Sequence, residues 1–454
     1  MSDADSVPGR APGPLDRFLR LFTEVRAGEG STALLLTLNV FVLLTAYYIL
    51  KPVREALILV GGGAEVKSYA AAGQGLLLLA AVPLYARLAS RLPRRQLIPA
   101  VTLFFAGCLV VFYVLARYQV PLGVAFYLWV GIFNLMVIAQ FWSFANDVYT
   151  QEEGKRLFPI VAFGASSGAV WGSFVSGRLI GPLGVYEMLL VAGALLLLGL
   201  VLTALVEARQ AHPRSSLAAA AAPSPAPLGR GGAFRLVAGN RYLLLIALLM
   251  LVLNWVNTTG EYLLGKVVSG AAAEAVAAGA AGGLSRGEYI GAFYADFFAV
   301  VNLVGLLVRL FAVSRIIKYA GMPVALIVLP AIALGGYAFL AAYPLLAVVR
   351  WAKTAENATD YSLQNTVRQA LFLPTTREEK YKAKQAIDTF FVRAGDVLSA
   401  ALVYTGVNWF AFGVRQFALV NLALVAVWLG LAAAIGRGYE RLTRAAAGPR
   451  APGP

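Results

Sequence analysis

Two residue types that often carry chemistry are almost missing from this sequence of 454 residues, which has one cysteine and one histidine. Cys108 lies in an apolar run, and His212 lies in a stretch rich in proline and alanine. A disulfide within the chain is therefore impossible, and a His/Cys metal cluster cannot form. The common pairs of a nucleophile and a histidine base are also excluded. The sequence predicts no enzyme, no metal and no cofactor.

Charged residues are scarce as well. They make up 13% of the sequence, whereas hydrophobic residues make up 59%, and the mean hydropathy is +0.73. Apolar runs of about 20 residues recur along most of the chain, and each can cross a hydrocarbon core of about 30 Å as a helix. The composition therefore predicts an all-α, polytopic protein embedded in a lipid bilayer.

The apolar runs predict twelve transmembrane helices, six on each side of a polar linker. The predicted spans are 31–50, 68–88, 97–116, 121–146, 158–180, 186–206, 241–264, 290–312, 322–342, 344–372, 386–408 and 414–436. The predicted domains are a cytoplasmic tail (1–30), a six-helix bundle (31–206), a cytoplasmic linker (207–240), a second bundle (241–436) and a cytoplasmic tail (437–454). The Ala/Gly-rich stretch 269–287 is interpreted as a loop.

Lysine and arginine are unevenly distributed among the connections. With the N-terminus inside, the inner segments hold most of them, and the outer connections hold only Lys67, Arg117, Lys266, Arg286 and Arg415. Basic loops mark the cytoplasmic face and lie against anionic lipid. Both termini are therefore predicted to be cytoplasmic. The net charge of +15 is explained in this way, and no nucleic-acid partner is predicted.

The two halves of the chain share a short pattern. The fourth span ends in FWSFAN (141–146), and the tenth contains YSLQN (361–365). Each contains an aromatic residue followed by Ser, two further residues and Asn. Each is followed by a Glu-Glu loop with a lysine and then by an apolar span containing glycine. Parallel repeats of six helices are typical of a major-facilitator-like arrangement, and this is the predicted fold.

Charged side chains inside apolar runs are the candidate functional residues, because an ionisable group in a membrane is costly. Lys51 and Arg54 end the first span on either side of Pro52. They are interpreted either as cations that face a central cavity or as anchors that reach the membrane surface. A proline at this point kinks the helix and frees backbone carbonyls, which favours the cavity.

Three further groups of polar residues have two interpretations each. Asn146 and Asp147 close the fourth span, and they are interpreted either as a helix cap or a gate that pairs with Lys155, or as substrate contacts. The polar residues of the tenth span are predicted either to form structural ion pairs or to line an aqueous path; they are Lys353, Glu356, Asp360, Asn365 and Arg368. Lys353 and Glu356 are one turn apart and can share a face, as can Glu356 and Asp360. Near the eleventh span, three basic residues mark either the topology or the binding site: Lys380, Lys382 and Lys384. Asp388 is a predicted gate residue, and Arg393 is predicted to pair with Asp396.

Four glycines in the fifth span predict close packing of two helices. Gly164, Gly168, Gly172 and Gly177 lie four or five residues apart. Small residues at this spacing allow two membrane helices to approach each other.

Three strings resemble the ATP/ADP translocase family of plastids and obligate intracellular bacteria. They are YYILKPVRE (47–55); FWSFAN (141–146) followed by KRLFP (155–159) and Gly164-Ala165; and YSL (361–363) followed by Pro374 and KYKAKQAID (380–388). They occur in family order across nearly the whole chain. The resemblance implies twelve spans in a major-facilitator-like fold, a bacterial inner membrane and exchange of nucleotides.

The resemblance transfers only part of the family's site. A basic residue of the first span falls on Arg54, and lysines before the eleventh span fall on Lys382 and Lys384. Two family glutamates are missing, since one falls near Val130 and the other near Asn257, although Glu261 lies one turn away. The departure puts ATP/ADP exchange itself in question.

The first hypothesis is a monomeric secondary transporter of a small anionic, phosphorylated solute, most simply a nucleotide. Its predicted substrate-binding residues are Lys51, Arg54, Asn257, Glu261, Lys353, Asn365, Arg368, Lys382 and Lys384, and its predicted gate residues are Asn146, Asp147, Lys155 and Asp388. Gly61–Gly63 is not a phosphate-binding Walker motif, because no Lys-Ser or Lys-Thr follows it, so transport uses a gradient or exchange. The alternatives are a carrier of another solute coupled to protons through Glu261, Glu356 or Asp360, a membrane subunit that transports nothing, and a membrane enzyme.

Overall fold

The computed structural model describes residues 13–20, 23–26, 28–210 and 232–446. The predicted linker lies mostly outside these residues, as does His212. Parts of both predicted tails, 1–12 and 447–454, also lie outside them. The described chain is all-α, as predicted.

The described helices are given in chain order. They are α1 (Pro14–Leu19), α2 (Gly30–Gly61), α3 (Gly63–Arg91), α4 (Arg94–Arg117), α5 (Gly123–Val148), α6 (Gln151–Leu183), α7 (Glu187–Gln210), α8 (Ala233–Gly239), α9 (Arg241–Ala277), α10 (Arg286–Phe311), α11 (Val313–Arg315), α12 (Gly321–Ala342), α13 (Leu346–Thr359), α14 (Asn365–Ala370), α15 (Lys384–Ala386), α16 (Val392–Asn408) and α17 (Val414–Ala446). Four π-helical segments interrupt the later ones: π1 (Ile316–Ala320), π2 (Asp360–Gln364), π3 (Glu379–Ala383) and π4 (Ile387–Phe391).

Ten helices in the described part of the chain are long and apolar enough to cross a membrane. The predicted count of twelve is therefore not matched exactly. The remaining two predicted spans, 344–372 and 386–408, contain helices α13, α14 and α16, and π2 and π4 interrupt them. A π segment widens one helical turn and is frequent at functional sites.

Two sequence-based placements are corrected by the structure. The stretch 269–287 is not wholly a loop, because α9 continues through Ala277. Lys67 is not in a connection: it lies in the first turns of α3 and is 4% exposed. The predicted span begins just after Lys67, because a charge normally marks the border of an apolar run. The charge of Lys67 is instead paired inside the protein.

Backbone contacts divide the chain into two compact units. Of the described residues, the first unit contains those within Met1–Val53, Ala81–Pro121 and Trp129–Ser224, and the second those within Arg54–Ala80, Leu122–Leu128 and Pro225–Pro454. The predicted division into bundles at the linker stays a prediction.

The first unit contains the close helix pair predicted from the glycines of the fifth span. A Cβ atom on Gly164, Gly168 or Gly172 of α6 would lie 2.7, 2.3 and 2.5 Å from backbone carbonyl oxygens of α2. Those carbonyls belong to Thr37, Phe41 and Thr45, which are also four residues apart. The two backbones therefore touch along three turns, and a methyl group at these positions has no space.

We expect Gly168→Ala to destabilise the first unit by about 2 kcal/mol, since overpacking against a backbone that cannot move typically costs about 1–3 kcal/mol. The apparent melting temperature of the purified protein in detergent would fall. Gly107→Ala is the matched control: Gly107 is also within a helix of this unit, but its added Cβ would meet nothing within 4 Å. Alanine there should be neutral or stabilising. Equal melting temperatures for the two variants would contradict the close packing of α2 and α6.

In the second unit, α9 occupies the centre and packs against α10, α13, α16 and α17. A Cβ on Gly395 of α16 would lie 2.7 Å from the carbonyl oxygen of Leu251, so this helix pair also has a close backbone contact. Asn254 and Thr258 both donate to one oxygen of Asp396 at 2.7 Å. These bonds fix the rotation of α9, and therefore decide which of its faces carries the polar residues one turn further on.

Candidate functional site

The candidate site begins at the turn between α2 and α3. Gly63 has a φ of +74°, a conformation that favours glycine, and the reversal brings Glu55 of α2 opposite Lys67 of α3. The Lys67 ammonium lies 2.7 Å from the Glu55 carboxylate. The other oxygen of Glu55 accepts from Nε of Arg54 at 3.1 Å. Glu55 is 1% exposed, so one buried carboxylate holds two cations.

Helix α9 supplies the next charge. Glu261 lies 3.6 Å from Lys67 through one carboxylate oxygen and 3.6 Å from Lys353 of α13 through the other. The second oxygen also accepts from the side-chain amide of Asn357 at 3.0 Å. Asn257, one turn before Glu261, accepts from Lys353 at 2.9 Å. Two positions of α9 four residues apart thus share one face toward α13.

Helix α13 completes the chain of charges. Lys353, which is 1% exposed, donates to Glu356 at 2.9 Å, so the predicted common face of these residues is present. The second oxygen of Glu356 accepts from the hydroxyl of Tyr337 at 3.0 Å. Helix α9 passes close to both groups because its residue 260 is glycine: a Cβ there would lie 2.1 Å from the Tyr337 hydroxyl and 3.1 Å from the Lys353 ammonium.

We call this set the six-charge network; it lies within the second unit and consists of Arg54, Glu55, Lys67, Glu261, Lys353 and Glu356. It contains three cations and three carboxylates and carries no net charge. Buried ion pairs are tolerated only when the geometry is good and further hydrogen bonds satisfy the groups. Asn257, Asn357 and Tyr337 supply such bonds to Lys353, Glu261 and Glu356, respectively.

Aromatic rings flank the cations of the six-charge network. The Arg54 guanidinium lies over the ring of Tyr127, 4.7 Å from its centroid. The Lys67 ammonium lies 5.3 Å from the centroid of the Tyr294 ring. A ring face attracts a cation more strongly when water is excluded. The rings therefore help to hold these cations away from water.

The structure brings together four of the residues predicted to bind substrate: Arg54, Asn257, Glu261 and Lys353. The other five are not part of the six-charge network. Lys51 lies in the first unit, 7% exposed, with its ammonium 5.2 Å from the Tyr48 ring centroid. Asn365 and Arg368 line a separate cavity of the second unit.

The lysines before α16 pair locally. Lys382 lies 3.0 Å from Glu378, and Lys384 lies 3.1 Å from Asp388. Of the other predicted gate residues, Asn146, Asp147 and Lys155 are exposed at the α5–α6 connection. The roles of all these residues in binding and gating stay predictions. Arg393 pairs with Asp396 at 3.1 Å, as predicted.

Sequence reasoning missed Lys67, Tyr337 and Asn357, and it treated Glu55 only as a neighbour of Arg54. Lys67 was counted as a topology marker. The sequence does contain a signal for Lys67. Glu65 and Lys67 are a second pair of opposite charges, and they follow the glycine turn that Arg54 and Glu55 precede. Tyr337 has no such signal, because tyrosines in membrane spans are common and only the packing aims its hydroxyl at Glu356.

The arrangement is suited to reversible ion pairing. Among the described residues, no group of three or more His, Cys, Asp or Glu side chains could hold a metal ion. Glu55 contacts Lys67 across α2 and α3, and Glu261 of α9 contacts Lys67 of α3 and Lys353 of α13. Glu356 contacts Lys353 of its own helix. In a medium of low dielectric constant the pairs cannot separate without replacement partners.

The fold of this chain is similar to the folds of solved membrane transporters. The nucleoside transporter NupG has a TM-score of 0.63 at 11% identity, covering 91% of this chain and 99% of that chain. A POT family transporter solved with 5-aminolevulinic acid has a TM-score of 0.60 at 12% identity, covering 90% of this chain and 96% of that chain. At these identities the likeness concerns the fold alone.

The resemblance seen in the sequence is confirmed by a curated relative. ADP,ATP carrier protein 1 of Chlamydia pneumoniae is 24% identical to this chain over 343 residues, 65% of this chain. The match covers 63% of that relative's own length, which is less than two thirds. No protein-family model matches the chain.

Proposed function

We propose that this protein is a secondary transporter of an anionic, phosphorylated solute, and that a nucleotide is exchanged or taken up by alternating access. One observation carries the proposal: three cations, one from each of α2, α3 and α13, are each held by a carboxylate in a buried network without net charge. Such cations can exchange one anionic partner for another. The similarity to an ADP,ATP carrier protein supports a nucleotide.

Phosphate oxygens are suitable replacements for the carboxylates. A charge-assisted hydrogen bond to phosphate is as short and strong as one to a carboxylate, and the Arg54 guanidinium can bind two oxygens at once. When phosphate takes Arg54 and Lys67, Glu55 loses its partners, and the packing of α3 against α9 weakens. Arrival of the solute would in this way open one side of the protein.

We place the six-charge network on the outer side of the bacterial inner membrane. With both termini cytoplasmic, α2 runs outward and the turn at Gly61–Gly63 lies outside. Glu55 lies six residues before this turn and Lys67 four residues after it, so both lie in the outer half of the membrane. The protein then acts as a monomer in the bilayer, and the network closes its outer side.

Exchange in proteoliposomes tests this function. Vesicles loaded with ADP should accumulate radiolabelled ATP with saturation, and vesicles without internal nucleotide should accumulate about tenfold less if exchange is obligatory. Glu55→Gln should reduce uptake at least tenfold, because Arg54 and Lys67 lose the carboxylate that positions them. The matched control is Glu65→Gln, which changes a carboxylate on α3 outside the network. No saturable uptake of any nucleotide, with correctly inserted protein, would refute the proposal.

A second candidate is a carrier of another solute coupled to protons. It is favoured by Glu261, which is 24% exposed and lies between two lysines of the network. A proton could reach this carboxylate and release Lys67 and Lys353. This version requires uptake that rises as the external pH falls and that loses its pH dependence in Glu261→Gln. Obligatory exchange requires neither result.

A further inference from the structure

A polar cavity lies in the second unit, and none of its lining residues belongs to the six-charge network. Its volume is about 380 Å³, and its lining residues are Met250, Leu253, Asp360, Tyr361, Gln364, Asn365 and Arg368. This volume is in the range of small-molecule sites. Five of the lining residues belong to π2 and the first turn of α14, and Met250 and Leu253 belong to α9.

Gln364 is the feature that points to a ligand. It is 2% exposed, and within the described residues neither its amide nitrogen nor its amide oxygen has a hydrogen-bond partner. Leaving a buried donor or acceptor unpaired is destabilising, so this side chain is an unfavourable choice for packing alone. The π segment that ends at Gln364 adds a widened turn, which is common at functional sites.

The charges of the cavity favour an uncharged occupant over a phosphate. Asp360 and Arg368 are of opposite sign, and Asn365 accepts from Arg368 at 3.2 Å. The lining therefore carries no net charge, and a phosphate placed there would meet the Asp360 carboxylate. An uncharged group with both donors and acceptors meets no such repulsion.

The apolar wall and the amide together define the shape of that group. Met250 and Leu253 offer a thioether and a branched side chain, surfaces on which a flat ring packs well. A glutamine amide presents a donor and an acceptor side by side, and it pairs with a planar edge that presents the complementary two. A nucleobase has both properties.

We propose that this cavity binds an uncharged nucleobase and that Gln364 reads its donor–acceptor edge. The inference rests on the proposed function, since it assigns the base of a nucleotide to a place distinct from the cations that would bind its phosphates. The amide nitrogen and oxygen of Gln364 are buried, so the side chain must turn into the cavity to meet its missing partners when the ligand is present. Recognition of the base and of the phosphates is divided between two groups of residues.

The test uses labelled adenosine, which carries a base and no phosphate, and inorganic phosphate, with the purified full-length chain. We expect saturable adenosine binding that weakens about tenfold in Gln364→Met, since two hydrogen bonds of about 0.7 kcal/mol each are lost. Gln364→Glu, which keeps an acceptor but loses the donor, should weaken binding at least as much. Inhibition of nucleotide uptake by inorganic phosphate should not change in either variant.

Gln140→Met is the matched control. Gln140 is also a buried glutamine, 6% exposed, whose amide nitrogen has no partner among the described residues, but it lies in the first unit. Its replacement should leave adenosine binding unchanged. The apparent melting temperature of Gln364→Met should equal or exceed that of the unchanged protein, because no hydrogen bond is lost in the absence of ligand.

The outcomes separate the two proposals. Adenosine binding that is absent, or that is the same in Gln364→Met as in the unchanged protein, overturns the base site even if nucleotide uptake is intact. Adenosine binding that is lost in Gln364→Met, together with no uptake of any nucleotide, supports the base site and refutes the proposed transport function. Equal weakening by Gln364→Met and Gln140→Met would show a general effect of the substitution and also overturn the site.

Discussion

Lys353→Met should lower the free energy of unfolding by about 3–5 kcal/mol, the usual effect of removing one partner from a buried ion pair. Lys353 is 1% exposed and contacts Glu356 and Asn257 at 2.9 Å each. Methionine fills the volume but leaves Glu356 with only the Tyr337 hydroxyl. It also turns the six-charge network from neutral to a net charge of −1. The measurement is the apparent melting temperature and the denaturant midpoint in detergent.

A lysine on the surface provides the control for this prediction. Lys266 is 45% exposed and pairs with Glu65, and exposed ion pairs contribute at most about 1 kcal/mol. Lys266→Met should therefore shift the melting temperature only slightly. The double variant Lys353→Met/Glu356→Leu removes both charges of the closest pair and should recover much of the lost stability. If the double variant were less stable than Lys353→Met alone, an uncompensated charge would not be the cause.

Gly260→Ala should have the second-largest effect, a loss of about 2–3 kcal/mol. The new methyl group would lie 2.1 Å from the Tyr337 hydroxyl, so the ring must move and its bond to Glu356 is lost. Overpacking costs about 1–3 kcal/mol, and a hydrogen bond to a charged group contributes about 1.5–3 kcal/mol. The gain of up to about 1 kcal/mol from alanine in a helix does not offset both.

The Tyr337→Phe background tests the reason for this loss. Without the hydroxyl, the nearest ring atom is 3.2 Å from the new methyl group, so Gly260→Ala should cost much less there than in the unchanged protein. Gly270→Ala, on the same helix with nothing within 4 Å of the added Cβ, should be neutral or stabilising. The same cost for Gly260→Ala in both backgrounds would place the clash elsewhere.

The candidate site could be predicted from the sequence as far as single residues are concerned. Arg54, Glu261 and Lys353 stand out because charges in apolar runs are costly, and the pairing of Lys353 with Glu356 follows from helical spacing. Lys67 was misplaced by the same reasoning, because a charge at the edge of an apolar run has the pattern of a surface lysine. A ligand-binding role for Gln364 could not be predicted, because a single glutamine in a mixed polar stretch gives no periodic signal.

The sequence by itself determined that this protein is an all-α membrane protein with repeated spans, since the length and apolarity of each run are local properties. It also indicated, from the glycine spacing, that α6 packs closely against another helix. Only the tertiary structure decided which charges meet. Glu55, Glu261 and Glu356 are far apart in the chain, and the rotation of each helix decides whether a carboxylate faces a lysine, a ring or lipid. That rotation depends on contacts such as those of Gly260 with Tyr337, which no local pattern contains.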